Sequence, residues 1–480
     1  MPNSVEIVAD SDYNGLIESY WSTMEISLEL LQKYSKPGPR YTSYPTAPYF
    51  TENFGEPEWL AEIRQTQSSG RDLSLYVHIP FCDTLCYYCG CNMLATHDYA
   101  KATKYLDILF KDIDQVAALV NPERLVKQFH WGGGTPTFLH PDDIRRLYAH
   151  MASRFKILPD AEISCEIDPR ELTRDHVRAL KQSGFNRVSL GVQDLNDAVQ
   201  KAVNRIQPES LVREVFGWMR EEGFQSINID LMVGLPHQTV SSYSETLDKI
   251  IALGPDRLAV FNYAHVPWMK KHQKLIKEEE LPPLTVRLEL QLLIMRKLAE
   301  AGYVYIGMDH YAKPDDEIVQ AQRNKTLYRN FQGYTTHKSS DIYAFGVSGI
   351  SQTEEVFVQN AKKLVEYEQR IKDGRFATER GLRVTAEDKL RRDAILTIMC
   401  DMELDKAVFG SKWKIDFDTH FASALPELKD MAGDGLLQLD SGKIRVTELG
   451  RIFLRNIAMP FDAYLGQQQV EMKPRFSKTI

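Results

Sequence analysis

From about residue 70 the chain repeats one pattern: a short run of alternating or β-branched apolar residues, then a longer stretch with apolar positions at helical spacing. The strand-like runs are SLYVHI (74–79), KQFHW (127–131), EISCEI (162–167), RVSLGV (187–192), SINIDLMV (226–233) and RLAVFNY (257–263). Between them the pattern predicts helices near 101–119, 141–154, 171–183, 209–222 and 241–252, one opening on Pro141-Asp142-Asp143, good chemistry for a helix N-terminus. The connections are too long for hairpins, so six βα units in series predict a parallel sheet, closed or partly closed into a barrel.

Two more segments extend this region to roughly residue 372: the strand-like YVYIGMDHYA (303–312) and the Gly-rich DIYAFGVSGIS (341–351). Beyond it, 386–400 reads as a helix, and 435–459 as a hairpin with an Asp-Ser-Gly turn followed by a helix. The chain thus divides into an irregular N-terminal arm (1–56), a partial (β/α)6 barrel (57–372) and a small, mostly helical C-terminal domain (373–480) of winged-helix type. Winged-helix shape alone would not make it a DNA binder. The arm contains the Pro/Gly/Tyr-rich stretch KPGPRYTSYPTAPYF (36–50), which no single regular element accommodates.

The chemistry-bearing residues sit directly after the strands. The six runs end in HIPFCDTLCYYCGC, GGGTPT, DPRE, QD, GLP and AH. In a (β/α) barrel the C-terminal ends of the strands form the working face.

Composition narrows the partners. Of 480 residues, 43% are apolar and 26% charged, with a net charge of −8, so there is no overall basic surface for nucleic acid. An anionic ligand must be met by arginines concentrated at one site. No apolar run approaches the roughly 18 residues needed to span a bilayer. Six acidic residues precede the first basic one, Lys33, unlike a secretory or transit signal, so a cytosolic protein is expected. Four of the six cysteines fall within ten residues, which in a reducing compartment points to metal rather than disulfides.

The spacing is Cys82-x3-Cys86-x2-Cys89-x-Cys91. Three thiolates from one loop suit a cubane iron–sulfur cluster and leave its fourth iron open to a small molecule. The alternatives are a four-cysteine zinc site or an electron-transfer cluster. Zinc usually takes two separated C-x2-C elements, which this chain lacks. Gly132-Gly133-Gly134-Thr135 offers backbone that a ligand can approach, with free N–H groups. Glu166 and Asp230 end otherwise apolar strands; a buried carboxylate needs a partner, either a ligand or an arginine such as Arg170 or Arg205. His78 is left open, and Cys165 and Cys400 read as buried and inert.

C-x3-C-x2-C after a first strand resembles the signature of the radical S-adenosylmethionine (SAM) enzymes. Within them YVHIPFCDTLCYYCGCN is similar to the oxygen-independent coproporphyrinogen III oxidases, as are RYTSYPTA, HWGGGTPT, EIDPRE, GFNRVSLGVQD, NIDLMVGLP, FNYAHVP, GMDHYA, RNFQGYTT and RNIAMPFD, in order from about residue 38. The resemblance implies a [4Fe–4S] cluster on Cys82, Cys86 and Cys89, with Cys91 a non-ligand that is needed for activity. It implies SAM, two molecules of it, contacted by Tyr76, Tyr88, Gly133, Gly134, Thr135, Glu166, Gln193, Arg205, Asp230, Ala264 and Ile350. It further implies that a 5′-deoxyadenosyl radical takes a hydrogen from each of two propionates of coproporphyrinogen III, giving protoporphyrinogen IX in haem biosynthesis. A monomer fed by an electron donor such as flavodoxin or ferredoxin is expected, with Arg40, Arg329 and Arg455 as candidates for the substrate carboxylates. One alternative is the related haem-chaperone group, typically shorter and without Cys91 and the RYTSYPT stretch. The other is a structural metal-binding module.

Overall fold

The computed structural model describes residues 27–338, 340–465 and 476–479 of the 480. Most of the acidic N-terminal segment, and with it the reading of a missing signal, lies outside the described residues. Twelve strands make one sheet: β1 (Leu73–Ile79), β2 (Leu125–Gly133), β3 (Lys156–Ile167), β4 (Arg187–Gln193), β5 (Ser226–Val233), β6 (Arg257–Asn262), β7 (Val304–Gly307), β8 (His310–Ala312), β9 (Asp341–Phe345), β10 (Ile350–Gln352), β11 (Val356–Asn360) and β12 (Thr378–Arg383). Across the sheet the order is β12-β11-β10-β9-β1-β2-β3-β4-β5-β6-β8-β7. The six expected strands lie side by side and parallel, and β9 joins them as a seventh parallel strand beside β1. Both flanks are antiparallel. The sheet runs on to β12, past residue 372.

The alternation within the strands sets where the core and the cavity lie. On β4, Val188, Leu190 and Val192 are buried with Val177, Leu180, Val212 and Val215 of the helices Arg174–Gln182 and Glu209–Glu221. Each such side chain contributes about 1.5–3 kcal/mol on burial. Their neighbours Arg187, Ser189, Gly191 and Gln193 border a cavity on the opposite face. Successive side chains of a strand point to opposite faces, so one short sequence serves both.

Two expectations change. YVYIGMDHYA is a hairpin rather than one strand: β7 turns at Met308, whose φ is 55°, and β8 returns antiparallel. The arm is not wholly irregular either, because Leu28–Tyr34 is helical, with the Ser27 hydroxyl accepting from the Leu30 N–H at 3.1 Å. Its Leu31, Tyr34, Tyr41 and Tyr44 share an apolar cluster with the helix Ala386–Asp401 and the end of the chain. A small antiparallel sheet of Glu403–Asp405, Lys443–Val446 and Leu437–Leu439 completes that region, and the Asp440 carboxylate caps its turn by accepting from Gly442 and Lys443 N–H at 2.7 and 2.6 Å.

Candidate functional site

The loop after β1 carries the cysteines, and Cys82, Cys86, Cys89 and Cys91 all border one cavity of about 400 Å³ at the C-terminal ends of the parallel strands. Backbone bonds fix the loop's path: Leu94 N–H donates to Pro80 O (2.7 Å), Thr96 N–H to Cys82 O (2.9 Å) and Cys89 N–H to Cys86 O (3.1 Å). Asn204 holds Leu85 O at 2.9 Å. His78, left open by the sequence, ties β1 to this loop, bonding Tyr76 Oη at 3.0 Å and Asn92 O at 2.9 Å.

The sulfurs differ in environment. Burial pushes the Cys82 thiol up to about 12, against the Thr135 hydroxyl at 3.2 Å from its sulfur. Cys89 is brought down to about 6, chiefly because the Cys91 thiol bonds to its sulfur. Arg170 Nη2 and Arg205 Nη1 stand 3.3 and 3.5 Å from Cys86 Sγ. Both arginines grip Asp168, at 2.7 and 2.9 Å, and together they outweigh its burial and hold its carboxyl at about 2.

Strand register assembles the polar wall. Tyr76 pairs with His130 and His130 with Ser164; Glu166 pairs with Ser189 and Ser189 with Asn228. Glu166 accepts from Gly133 N–H at 3.2 Å and lies 3.4 Å from His130 Nε2. Burial opposes its ionisation, but His130 and that N–H prevail and keep its carboxyl below the ordinary value. Asp230 accepts from Ser189 Oγ (2.8 Å) and Asn228 Nδ2 (2.7 Å). Burial still raises it to about 6, helped by the Glu166 charge.

Among the described residues neither carboxylate pairs with an arginine, so the ion-pair alternative for Glu166 and Asp230 is corrected: Arg170 and Arg205 pair with Asp168. The glycine run also has a different basis. Its N–H groups are not free, since Gly133 N–H goes to Glu166, Gly134 N–H to Ile79 O and Thr135 N–H to Phe81 O, the last two at 2.8 Å. A Cβ on Gly133 would sit 2.9 Å from the His78 ring, and one on Gly134 2.8 Å from Phe81 O. The glycines let the cysteine loop close onto β2.

Tyr88, Gly134, Thr135, Glu166, Gln193, Arg205 and Asp230 border the cavity; Gly133 reaches it through Glu166. Gln193 and Arg205 converge at Gly191, where an added Cβ would meet both at 3.0 Å. Tyr76 lies behind, stacked on His130 with ring centroids 5.9 Å apart. Ala264 and Ile350 are not among the residues bordering this cavity: the Ala264 carbonyl accepts from Gln273, and Ile350 packs against the cluster of Phe50, Phe357 and Val384. Cys165 and Cys400 are buried as expected, Cys165 against the cavity wall. Sequence reasoning missed His130, Ser164, Ser189 and Asn228. Each sits two residues from a singled-out position or in register with one, so the polar half of each alternating run was the available signal.

At the other end of the cavity stand Phe261, His310 and Tyr334. Arg40 lies over Phe261 (5.6 Å) and Arg329 over Tyr334 (4.8 Å). Arg40 pairs with Asp309, Arg455 donates to backbone carbonyls including Pro39 O at 3.0 Å, and the buried Arg329 Nη1 has no partner among the described residues. Burial and the charges of Arg455 and Arg329 pull Arg40 down to about 9; burial and the Arg329 charge pull Arg455 down to about 10. Burial and the charges of Arg329, Arg40 and Arg257 push His310 well below its ordinary range, so it stays neutral.

These donors fit an iron–sulfur cluster. Three soft sulfurs on one loop face a common space, beside two guanidinium groups that offset thiolate charge. Among the described residues no group of three His, Cys, Asp or Glu side chains is placed to hold a single metal ion.

The model of the radical SAM superfamily matches residues 76–250, and that of the HemN C-terminal domain residues 384–453. An oxygen-independent coproporphyrinogen III oxidase of Escherichia coli (strain K12) is 46% identical over 453 residues, covering 94% of this chain and 98% of its own. One from Synechocystis is 43% identical over 462 residues, with 95% and 99% covered. A solved structure of the Escherichia coli coproporphyrinogen III oxidase, described as a radical SAM enzyme, aligns with a TM-score of 0.87 at 44% identity, over 92% of this chain and 99% of that one.

Proposed function

The chain belongs to the radical SAM superfamily and, within it, to the oxygen-independent coproporphyrinogen III oxidases, and from that premise we propose how its own residues convert two propionates of coproporphyrinogen III into the vinyl groups of protoporphyrinogen IX. Cys82, Cys86 and Cys89 would hold the cluster, which with SAM and one electron from an external donor would supply a radical able to take a hydrogen atom from the propionate β-carbon; loss of CO2 would then pass one electron to an external one-electron acceptor.

The chain supplies charge, orientation and dryness. Arg170 and Arg205 counter the negative charge of the thiolates around Cys86, and Asp168 keeps both in place. Glu166, Gln193 and Asp230, which all border the cavity, offer acceptors and donors to the ammonium and ribose hydroxyls of SAM. Tyr88 and Thr135 close the wall around the cysteines and keep water out. Gly133 and Gly134 bring that wall close, while Tyr76, Ala264 and Ile350 enter the proposal through the resemblance alone. Cys91, bonded to Cys89, tunes its neighbour rather than binding iron. Arg40 and Arg329, over the Phe261 and Tyr334 rings of the cavity wall, with Arg455 beside them, receive the substrate carboxylates. Two propionates need two radicals, so two SAM molecules serve each porphyrinogen. The enzyme works in the reducing cytosol, as a monomer taking electrons from reduced flavodoxin or ferredoxin; its six free cysteines suit that compartment.

The observation that carries this reading is one cavity bordered both by a three-cysteine loop and by Phe261 and Tyr334, over whose rings Arg40 and Arg329 lie. The test is anaerobic incubation of reconstituted protein with SAM, a reductant and coproporphyrinogen III. Protoporphyrinogen IX with two equivalents of 5′-deoxyadenosine is expected. Deoxyadenosine without porphyrin product would remove the substrate from the proposal, and haem affinity without turnover would favour the chaperone alternative.

A further inference from the structure

The cysteine loop has an outer face as well as an inner one. Cys91 and Met93 border the reaction cavity on one side and, on the other, an open recess of about 370 Å³ that also takes in Leu94 and Met269–His272. The loop is therefore a partition one chain thick. A strap from the segment after β6 is fastened along it at three points: Lys270 Nζ donates to Cys91 O (2.8 Å), His272 Nε2 to Cys89 O (2.7 Å) and Gln273 Nε2 to Tyr88 O (3.0 Å).

The surface of strap and loop is apolar where apolar groups are rare. Four of the eight large apolar side chains left exposed among the described residues lie here: Leu94, Trp268 (45% exposed), Met269 (57%) and Leu275 (57%). It is also basic on a chain of net charge −8. Lys271 and Lys274 are exposed and enter no ion pair among the described residues, and Lys270 stands between them and the loop. The carbonyl of Lys362 accepts from Asn92 Nδ2 at 3.0 Å, and burial with the charges of Arg380 and Lys270 holds its ammonium below the usual range. The acidic run Glu278–Glu280 begins only past Lys277, which binds Glu280. An exposed aromatic and thioether core ringed by lysines is the composition of a transient interface for an acidic protein.

The reaction explains why such a partner comes here. Each radical event needs one electron from outside, and the inner cavity must stay closed to solutes. We propose that this outer face, Trp268–Leu275 with Leu94 and Lys362, is the docking surface of a small acidic one-electron donor protein, which delivers its electron through the cysteine loop. The donor's reduced flavin or iron–sulfur centre is oxidised by one electron and the enzyme's cluster is reduced by one; no bond forms and no proton or leaving group moves at the interface. The inference rests on the enzymatic reading and deepens it.

The probe is flavodoxin, an acidic flavoprotein. Two variants of the full chain, Lys271→Glu/Lys274→Glu and Trp268→Ala, touch none of the loop's hydrogen bonds. Binding of oxidised flavodoxin at low salt is measured by calorimetry on cluster-free and cluster-loaded protein. Bleaching of the cluster's visible absorption is followed by stopped flow, with reduced flavodoxin and, separately, with dithionite. The expected result is at least about tenfold weaker binding and slower reduction by flavodoxin, with dithionite reduction unchanged and a salt dependence smaller than that of the parent. Equal flavodoxin rates in parent and variants would overturn the proposal, as would a second copy of this chain found seated on the face. Parent protein that binds flavodoxin but cleaves no SAM with dithionite would instead refute the enzymatic reading and leave the docking face standing.

Discussion

The two ends of the cavity handle positive charge differently. At the cysteine end Arg170 and Arg205 share the Asp168 carboxylate, at 2.7 and 2.9 Å, with the Cys86 sulfur within 3.5 Å. Behind Phe261 and Tyr334 of the cavity wall, Arg40, Arg329 and Arg455 have only Asp309 as a close carboxylate among the described residues, and one guanidinium nitrogen of Arg329 is buried without a partner there. The first group already holds a carboxylate and a cysteine sulfur between its two guanidinium groups, as befits a resident cofactor. The second is left short of anions, as befits a polyanionic substrate that comes and goes. Removing charge should therefore cost stability at one end and substrate binding at the other.

The largest effect expected is at the thiols. Cys82→Ser, Cys86→Ser or Cys89→Ser should abolish cluster retention and SAM cleavage, read by iron and sulfide content with deoxyadenosine assay. Cys91→Ser, which removes a partner of Cys89 and no ligand, should keep its iron; loss of iron there would put Cys91 among the ligands. Next comes Asp168→Asn, which strands two buried guanidinium groups and should cost about 3–5 kcal/mol in denaturant unfolding. The pH dependence has a definite sign. Asp168 is held at about 2 in the fold and titrates near 3.9 unfolded, so its contribution is complete above about pH 4 and fades as pH falls toward 2. The variant should lose that acid limb.

At the mouth Arg329→Ala should lower kcat/KM for the porphyrinogen about tenfold to a hundredfold while leaving the melting temperature level or raised. A destabilisation matching that of Asp168→Asn would erase the contrast between the two ends. The smallest effect is expected from Glu166→Gln, which keeps shape and removes charge: SAM affinity should fall about tenfold by equilibrium binding, with cluster content intact.

Much of this was legible because it is local. The cysteine spacing, the six parallel strands and the chemistry at their C-terminal ends all lie within short windows of sequence. The charge set was not. Asp168 and Arg170 follow β3, Arg205 follows β4, and only the fold brings the three to Cys86. The glycine run was read as backbone with free N–H groups, but those groups are bonded and His78 and the Pro80–Phe81 backbone crowd Gly133 and Gly134, while Gly134 and Thr135 border the cavity. The β7–β8 turn escaped because a methionine, at φ 55°, occupies a position where glycine or asparagine would have announced it. The helix Leu28–Tyr34 is too short to give a periodic signal and is held by packing against the C-terminal cluster.

On the proposed function three cysteines hold a cluster and leave one iron for SAM. Mössbauer spectroscopy of anaerobically reconstituted protein, with and without SAM, tests it directly. A [4Fe–4S] signature in which a single iron shifts on SAM addition is expected; an unchanged spectrum with four protein-bound corners, or protein without iron, would contradict three-cysteine ligation.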